Sequence, residues 1–253
     1  MLNIFKMDMR RILHSKMFYV CLFSMILVTG SMIIFGVVPD FPSILGAGAG
    51  GTEDAMMGNM MGVGMAFMVI SIFYTLFICQ EFTSGFAKNI FARHANPIRY
   101  IGGKLLSLTV SGSIMLLAFL LISMILMALA GGGVILPGGV VGLFGLIVGK
   151  ILSVATLASL IIFTCLFARK SVVGIIVGIV VAMGAIPMVL NLVGSIVGLP
   201  WIAEIMKYTI SGLSGLPTLT FSATTLAIVI IGNFIWSALF AALGSRAVKL
   251  KDI

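Results

Sequence analysis

Long apolar runs, separated by short polar or glycine-rich stretches, dominate the pattern of this chain. A bilayer-spanning helix needs about 20 predominantly apolar residues, and several runs reach that length. The predicted spans cover residues 17–38, 60–80, 104–129, 147–168, 171–193 and 224–245. The predicted connections cover residues 39–59, 81–103, 130–146, 169–170 and 194–223, and a tail begins at Arg246. The pattern therefore predicts an all-α integral membrane protein with six transmembrane helices.

The opening stretch, residues 1–16, differs from the spans because charged side chains interrupt the apolar ones. The apolar side chains that recur at helical spacing are Leu2, Phe5, Met9, Ile12 and Leu13. Lys6, Arg10 and Arg11 lie largely off that stripe. The pattern predicts a basic amphipathic helix in the headgroup interface, with Phe5, Lys6, Arg10 and Arg11 as membrane-interface residues.

The segment 194–223 is too broken by Gly and Pro for one span, and too apolar for an ordinary aqueous loop. Short re-entrant or interfacial helices fit this composition where protein covers the backbone. A loosely packed loop resting on the bilayer is the alternative. In either case Trp201 and Tyr208 suit the membrane interface, where such aromatic side chains are enriched.

Two features of the fifth predicted span bear on its packing and its shape. Gly174 and Gly178 have the small-xxx-small spacing that permits two helices to approach closely. Pro187 lacks a backbone N–H, so we expect a kink in this span. Similar glycine pairs occur elsewhere in a chain with 30 Gly, so the spacing alone does not identify a contact.

Composition agrees with a membrane-embedded chain. Of the 253 residues, 61% are hydrophobic and only 9% are charged, and the mean hydropathy is +1.28. An average soluble domain is about 25% charged. The apolar run at 17–38 is longer than a typical signal-peptide core, so it is interpreted as a retained first span. We expect one membrane domain over residues 1–253, without an appended soluble domain.

The net charge of +8 is interpreted as a signal for membrane orientation rather than as a nucleic-acid surface. Thirteen of the fifteen Lys and Arg residues fall on one side of the predicted topology, and only Lys150 and Lys207 fall on the other. Because basic residues favour the cytoplasmic side, we expect both termini to be cytoplasmic.

Recognised motifs of catalysis are missing from the sequence. It contains no HExxH, no GxSxG, no phosphate-binding GxxxxGK[ST] and no CxxC pair. Cys21, Cys79 and Cys165 lie in apolar runs and are interpreted as small buried hydrophobes. We therefore expect no catalytic residue, no metal site and no cofactor in this chain, which would not be an enzyme by itself.

Ionisable residues are absent from the middle of the predicted spans, and Lys150 comes closest to being an exception. Ion- and proton-coupled transporters usually need such groups, so a self-powered antiporter is disfavoured. If the fourth span begins near Ile147, the Lys150 ammonium reaches the outer interface by snorkelling. The alternative is that Lys150 faces a cavity.

The connection at 81–103 combines charged residues, aromatic residues and a proline. From about Thr83 to His94 the spacing predicts a short amphipathic helix, which Asn96-Pro97 ends. Its apolar side would contain Phe82, Phe86, Ile90 and Phe91, and its polar side Lys88, Asn89 and Arg93. Apolar side chains exposed on such a helix indicate a lipid or protein partner. An ordinary solvated loop is the alternative.

At these residues the sequence resembles the ABC-2-type permeases, which are the membrane subunits of type V-like ABC exporters. The resemblance rests on Glu81-x-x-x-Gly85, followed by Lys88-Asn89, a proline-containing turn, an Arg and Lys104. It extends to the amino-terminal interfacial helix, the six spans, the short turn between spans four and five, and the broken outer segment. Within that family, the chain resembles Gram-positive exporters of toxin peptides and the lantibiotic and bacitracin immunity permeases.

The resemblance implies a cytoplasmic coupling helix between the second and third spans, seated in a groove of a separate ATPase subunit. The implied ATPase-coupling residues are Glu81, Phe82, Gly85, Phe86, Lys88, Asn89, Ile90, Phe91 and Arg93. A homodimer of this chain and two ATPases, which bind the ATP and Mg²⁺, would form the transporter in a bacterial plasma membrane. Membrane lipid and a peptide substrate are the other implied partners, and nucleic acid is not one.

The implied activity is ATP-driven export of amphipathic or hydrophobic peptides, such as toxins or antimicrobial peptides. Closure of the ATPases would push on the coupling helix and on the amino-terminal helix, and the spans would tilt between two states. Export of lipid-linked polysaccharide or of small drugs is one alternative. A membrane scaffold without transport activity is another.

Overall fold

The computed structural model describes residues 2–37, 64–83, 97–129, 139–197, 201–216 and 223–250, and these ranges form α-helices without any β-strand. The helices are α1 (Leu2–Leu13), α2 (Lys16–Val37), α3 (Gly64–Thr83), α4 (Pro97–Leu129), α5 (Gly139–Ala168), α6 (Ser171–Ala182), α7 (Ala185–Val197), α8 (Trp201–Lys207), α9 (Ile210–Gly215) and α10 (Ala223–Leu250). Within these ranges the prediction of an all-α chain is therefore confirmed.

Within the described ranges, four helices are long and apolar enough to cross a membrane by themselves. They are Gly64–Phe82, Tyr100–Ile125, Val141–Ala168 and Ala223–Ala247. Two further segments qualify only as bent pairs, Ile4–Leu13 with Lys16–Val28 and Ser171–Ala182 with Ala185–Gly194. The single helices give four spans, and counting each bent pair as one span gives six. This number equals the predicted one, but the first pair includes α1, which was predicted to lie at the interface outside the spans.

Two helices begin earlier than the predicted spans at 104–129 and 147–168. α4 begins at Pro97, because proline is tolerated in the first helical turn, where its missing N–H is not needed. α5 begins at Gly139, inside the glycine-rich stretch. As a result Lys104 and Lys150 lie well within helices rather than at their ends.

The bend between α6 and α7 lies inside the fifth predicted span. The two helices meet at 54°, and Gly184 between them has a φ of +68°, which favours glycine. Pro187 stands in the first turn of α7, where it has no N–H to bond the Met183 carbonyl. The expected kink is thus present, and it lies at the residues whose helical hydrogen bonding the proline prevents.

The helices α3 and α5 form the centre of the bundle. In each of them 61% of the most apolar stretch is buried inside the chain, compared with 11% in α10. α5 packs along α10 on one side and against α3, α4 and α6 on others. The outer surfaces of α7 and α10 expose large apolar side chains, among them Met188, Ile196, Ile231 and Phe234. Such surfaces need lipid or protein as a neighbour.

Two glycines allow α6 to approach α3 closely. A Cβ on Gly174 would lie 2.6 Å from Thr75 Cγ2, and one on Gly178 would lie 2.6 Å from Ser71 Cβ. Real Cβ atoms essentially never come so close, so a larger residue would push the helices apart. This small-xxx-small pair therefore serves a contact within one chain, and it is not available to a second copy.

The bundle has two chemically different ends. The basic end contains α1, the end of α3, the start of α4 and the turn Arg169–Lys170 between α5 and α6. The far end contains the bend at Gly184 and the short helices α8 and α9. These names are used for the two ends from here on.

Hydrogen bonds tie the short helices of the far end to the spans. Trp236 Nε1 of α10 donates to the Tyr208 carbonyl at 2.9 Å, and Ser211 Oγ of α9 donates to the Val181 carbonyl at 2.7 Å. Leu213 of α9 is fully buried against α10. The segment 201–216 thus forms short helices packed on the spans, as expected, rather than a loose loop.

Candidate functional site

The helix α1 packs against α4 and presents one narrow stripe to the bundle. Ile4, Asp8 and Ile12 form this stripe at i, i+4 spacing and are 5%, 0% and 0% exposed. Of the apolar stripe predicted for the membrane interface, this buried stripe shares only Ile12, and Leu13 is exposed. Because Asp8 lies between two buried isoleucines, α1 brings a carboxylate into the protein interior.

Four charged side chains meet where α1 contacts the spans, and they form the charge cluster: Asp8, Arg11, Glu81 and Lys104. Arg11 donates to Glu81 Oε1 at 2.9 Å. Lys104 Nζ donates to the same Glu81 oxygen and, at 3.1 Å, to Asp8 Oδ2. The side chain of Arg11 is 31% exposed, whereas those of the other three are at most 1% exposed. With two carboxylates and two cations, the charge cluster has no net formal charge.

Neutral hydrogen-bond donors also contact both carboxylates of the charge cluster. The Tyr100 hydroxyl donates to Glu81 Oε2 at 3.0 Å, and Ser107 Oγ donates to Asp8 Oδ2 at 3.3 Å. Buried charges are tolerated only when they are paired and hydrogen-bonded. Glu81 meets both conditions with both of its oxygens.

The ring of Phe77 lies against both cations of the charge cluster. Its centroid is 4.6 Å from Lys104 Nζ and 5.4 Å from Arg11 Cζ. A cation over an aromatic face is attracted to the ring by about 0.5–2 kcal/mol, depending on how far it is desolvated. Phe77 therefore stabilises one ammonium and one guanidinium group, which an aliphatic side chain at this position would not do.

Asp8 has an unsatisfied atom, since its buried Oδ1 lacks a hydrogen-bond partner among the described residues. Burial raises the pKa of the Asp8 carboxyl above its ordinary value of 3.8, while the Lys104 ammonium opposes the rise and the Glu81 carboxylate adds to it. A proton on Asp8 would remove the cost of burying its negative charge. We therefore expect a change of pH to act on the charge cluster through Asp8.

Of the predicted coupling residues, the structure describes two. Glu81 belongs to the charge cluster, where it pairs with Arg11 and Lys104. Phe82 is half-buried and packs against the apolar core. Gly85, Phe86, Lys88, Asn89, Ile90, Phe91 and Arg93 lie outside the described residues, as does most of the expected helix from Thr83 to His94. Their coupling role stays a prediction.

The predicted membrane-interface residues lie in several different environments. Lys6 and Arg10 are exposed, Phe5 is half-buried, and Trp201 is exposed on α8. An open groove of about 640 Å³ on the outer side of α1 is lined by Lys6, Met7, Arg10, Arg11 and His14. Arg11 departs from the expectation, because its guanidinium turns toward Glu81. Interfacial placement of the others stays a prediction.

A second buried lysine lies on α5, toward the far end. Lys150 is 4% exposed, and its Nζ donates to the Ser214 carbonyl of α9 at 2.7 Å. The expectation that its ammonium snorkels to the interface is wrong, because α9 covers it. Among the described residues, no carboxylate lies within ion-pair distance of Lys150.

Polar side chains also join α5 to α10 near the middle of both helices. Thr156 Oγ1 donates to Asn233 Oδ1 at 2.7 Å and lies 3.1 Å from Ser237 Oγ. Asn233 Nδ2 in turn donates to the Val229 carbonyl at 2.9 Å. Hydrogen bonds between membrane helices contribute about 0.6 kcal/mol on average. These residues could not be singled out from the sequence, because a single Thr or Asn hardly changes the hydropathy of an apolar run.

Other chemistry is scarce in the part of the chain that the structure describes. No group of three His, Cys, Asp or Glu side chains in it is arranged to hold a metal ion. Cys79 and Cys165 are buried, as predicted, and Cys21 is half-buried. No known protein family matches the chain, and no curated protein sequence matches it.

Proposed function

We propose that this chain is the membrane subunit of an ATP-driven exporter that takes its energy from a separate ATPase. The observation that carries the proposal is the charge cluster, which connects α1 to the end of α3 and to the early part of α4. Those two helices flank residues 84–96, the segment whose sequence resembles a coupling helix. A force applied to that segment would pass to α1 through the ionic contacts.

The contacts suit transmission of force because they are buried and join distant parts of the chain. Separating buried ionic partners would leave unpaired charges in a low-dielectric interior, at a cost of several kcal/mol. The Arg11–Glu81 pair joins residues 70 positions apart, and the Lys104–Asp8 pair joins residues 96 positions apart. Only His14 and Ser15 separate α1 from α2, so a shift of α1 also shifts α2.

In the proposed cycle, two ATPases bind ATP and Mg²⁺ and close against a homodimer of this chain in the bacterial plasma membrane. The ATPases push on segment 84–96 and on α1 of each copy. Because the ATPases are cytoplasmic, both termini lie on the cytoplasmic side in this proposal. The spans then tilt between two states, and the bend between α6 and α7 is a place where the helix angle can change.

The proposed substrates are amphipathic or hydrophobic peptides. The exposed surfaces of α7 and α10 are apolar, which suits contact with such a substrate or with a second copy. The chain also contains 18 Met, whose flexible side chains adapt to ligands of varied shape. The transport assay, which measures efflux, identifies the peptide.

The test begins with the ATPase that co-purifies with this chain from native membranes, reconstituted with it in vesicles. Arg11→Gln removes one link between α1 and α3 at the exposed rim of the charge cluster, so the variant should fold. We expect ATPase binding and ATP hydrolysis to persist, while peptide efflux per ATP hydrolysed falls several-fold. Arg10→Gln is the matched control, since Arg10 is the exposed neighbour on the same helix.

Equal efflux per ATP in the Arg11→Gln and Arg10→Gln proteins would refute transmission through the charge cluster. Failure of any ATPase to co-purify would refute the subunit assignment and would favour a scaffold without transport activity. Hydrolysis of ATP by the purified chain alone would also contradict the proposal.

A further inference from the structure

Lys150 is a buried cation without a counter-charge among the described residues. It lies within the span Val141–Ala168, and its one described partner is the neutral Ser214 carbonyl. An isolated ammonium in an apolar interior is costly, and ionisable residues inside membrane spans are rare unless they are paired or functional. Lys150 therefore has a hydrogen-bond acceptor, but the described residues provide no negative charge to compensate its ammonium.

The neutral acceptor belongs to α9, which is one of the shortest helices among the described residues. Ser214 lies in the last turn of α9, where unsatisfied carbonyls carry partial negative charge and favour a cation. α9 contains only six residues, so its own hydrogen bonds hold it weakly, and its contacts with α5, α6 and α10 keep it in place. Movement of so short a helix would uncover the Lys150 ammonium.

Hydroxyl groups next to this contact could serve an anion as well. Ser153 follows Lys150 by one turn on α5, and Ser211 and Ser214 lie on α9. All three hydroxyls now donate to backbone carbonyls at 2.7 to 3.0 Å. A hydroxyl can rotate to donate to a new acceptor. The contact between α5 and α9 thus offers one cation and several donors in an otherwise apolar setting.

We infer that Lys150 is the charged centre of a binding site for the carboxylate or phosphate group of a membrane-soluble amphiphile. The anion replaces the Ser214 carbonyl when α9 moves, and its charge compensates the buried ammonium. The alkyl part lies along the apolar surfaces of the neighbouring spans. The further step of identifying this ligand as the transported substrate rests on the proposed function. It narrows the proposed substrates to amphiphiles with an anionic group.

The test measures binding to the purified full chain in nanodiscs of zwitterionic lipid. The probes are 11-(dansylamino)undecanoate and its uncharged methyl ester, which share one alkyl chain and one fluorophore. We expect the carboxylate to bind about tenfold more tightly than the ester, as a hydrogen bond between charged groups predicts. Lys150→Met should abolish this preference. Lys207→Met should retain it, because Lys207 is an exposed lysine on α8.

Further arms distinguish the possible anions. Displacement of the fluorescent carboxylate by dodecanoate or by dodecyl phosphate shows which headgroup the site prefers. Acetate and inorganic phosphate test whether a free anion suffices without the alkyl chain. Equal affinity of acid and ester for the unmodified protein would overturn the inference. An unchanged preference in the Lys150→Met protein would overturn it too, and Lys150 would then be only a structural cap of α9.

A second measurement needs no variant and applies even if Lys150→Met fails to fold. A diazirine derivative of the carboxylate should label peptides of α5 and α9 in the unmodified protein, and dodecanoate should block the labelling while its methyl ester should not. Labelling elsewhere only would overturn the inference. Neither assay contains ATPase or ATP, so a missing ATPase would defeat the proposed function without affecting this site, and the reverse also holds.

Discussion

Lys104 and Lys150 are the same residue type in opposite halves of one bundle, and both are nearly inaccessible. Lys104 contacts the carboxylates of Glu81 and Asp8, whereas Lys150 contacts the Ser214 carbonyl. Burial is therefore the same in the two regions, but the compensation of charge is not. At the basic end the counter-charges belong to the chain and join three helices. At the far end the described residues supply only a dipole, from a helix six residues long.

The difference shows that a buried lysine can mark either a permanent joint or an exchangeable contact. A salt bridge with several partners resists separation because each parted charge loses its compensation. A single bond to a carbonyl can be exchanged for another acceptor at little cost, since one hydrogen bond replaces another. Replacing Lys104 should therefore reduce stability. Replacing Lys150 should instead alter ligand binding and change stability little.

The largest expected effect is a difference between Lys104→Met and Lys150→Met. Lys104→Met leaves two buried carboxylates with one partly exposed Arg, so we expect a loss of about 3–5 kcal/mol in the free energy of unfolding. Lys150→Met removes an uncompensated charge and frees one carbonyl, so we expect a change of about 1 kcal/mol or less. Reversible unfolding of the two variants in mixed detergent micelles measures both values. Similar losses at the two positions would contradict the comparison.

A double variant separates ionic pairing from packing at Lys104. If pairing dominates, adding Glu81→Gln to Lys104→Met should cost less than the sum of the single changes, with a coupling of about 0.5–3 kcal/mol. Additive losses would mean that the apolar stem of Lys104, rather than its charge, stabilises the basic end.

A smaller effect concerns pH and the basic end alone. Because burial raises the pKa of Asp8, its contribution to stability is fully present below its ordinary pKa of 3.8 and is lost as pH rises through the raised value. Relative to Asp8→Asn, the unmodified protein should therefore become less stable as pH rises above that range. Unfolding of the two proteins between about pH 4 and pH 8 tests the sign.

The groups that face Asp8 determine whether that sign holds. Lys104 lowers its pKa, and Glu81 raises it. Should the unmodified protein instead gain stability over Asp8→Asn as pH rises, the attraction of Lys104 outweighs burial, and the charge cluster is tighter than its unsatisfied oxygen indicates.

The smallest effect is expected for the exposed ion pair of the far end. Lys207 Nζ lies 2.8 Å from Glu204 Oε1, and both side chains are more than half exposed. Exposed ion pairs contribute little because solvent and salt screen them. Glu204→Gln should leave the unfolding transition unchanged, which provides a baseline for charge removal without burial. A loss comparable to that of Lys104→Met would show that ion-pair stability in this chain does not follow burial.

Features that depend on local chemistry could be predicted from the sequence. The apolar runs predicted the membrane-embedded helices, and the missing N–H of Pro187 predicted the bend between α6 and α7. The spacing of Gly174 and Gly178 permitted a close helix contact, although it identified neither that contact nor α3 as the partner. Each of these signals acts within one helix or between adjacent turns.

The charge cluster could be predicted only in part. The sequence marked Glu81 as a candidate functional residue, but nothing in it selects Asp8 as the other acid, since Asp8 lies 96 residues from Lys104. The error at Lys150 arose from the predicted start of the span near Ile147. α5 begins at Gly139, so the lysine lies inside the helix rather than at its start, and α9 covers it. Long-range contacts of this kind depend on how helices pack, which hydropathy does not determine.

The hydrogen bond from Trp236 to the Tyr208 carbonyl has an experimental consequence. The chain contains two tryptophans, and Trp236 also stacks on Phe240 at 5.5 Å. Indole emission depends on the polarity around the ring and on the acceptor of its N–H, so displacement of the segment that carries Tyr208 and α9 changes the emission of Trp236. Replacing Trp201 with Phe leaves a single indole. The protein therefore contains an intrinsic optical reporter beside the helix that covers Lys150, readable without any attached dye.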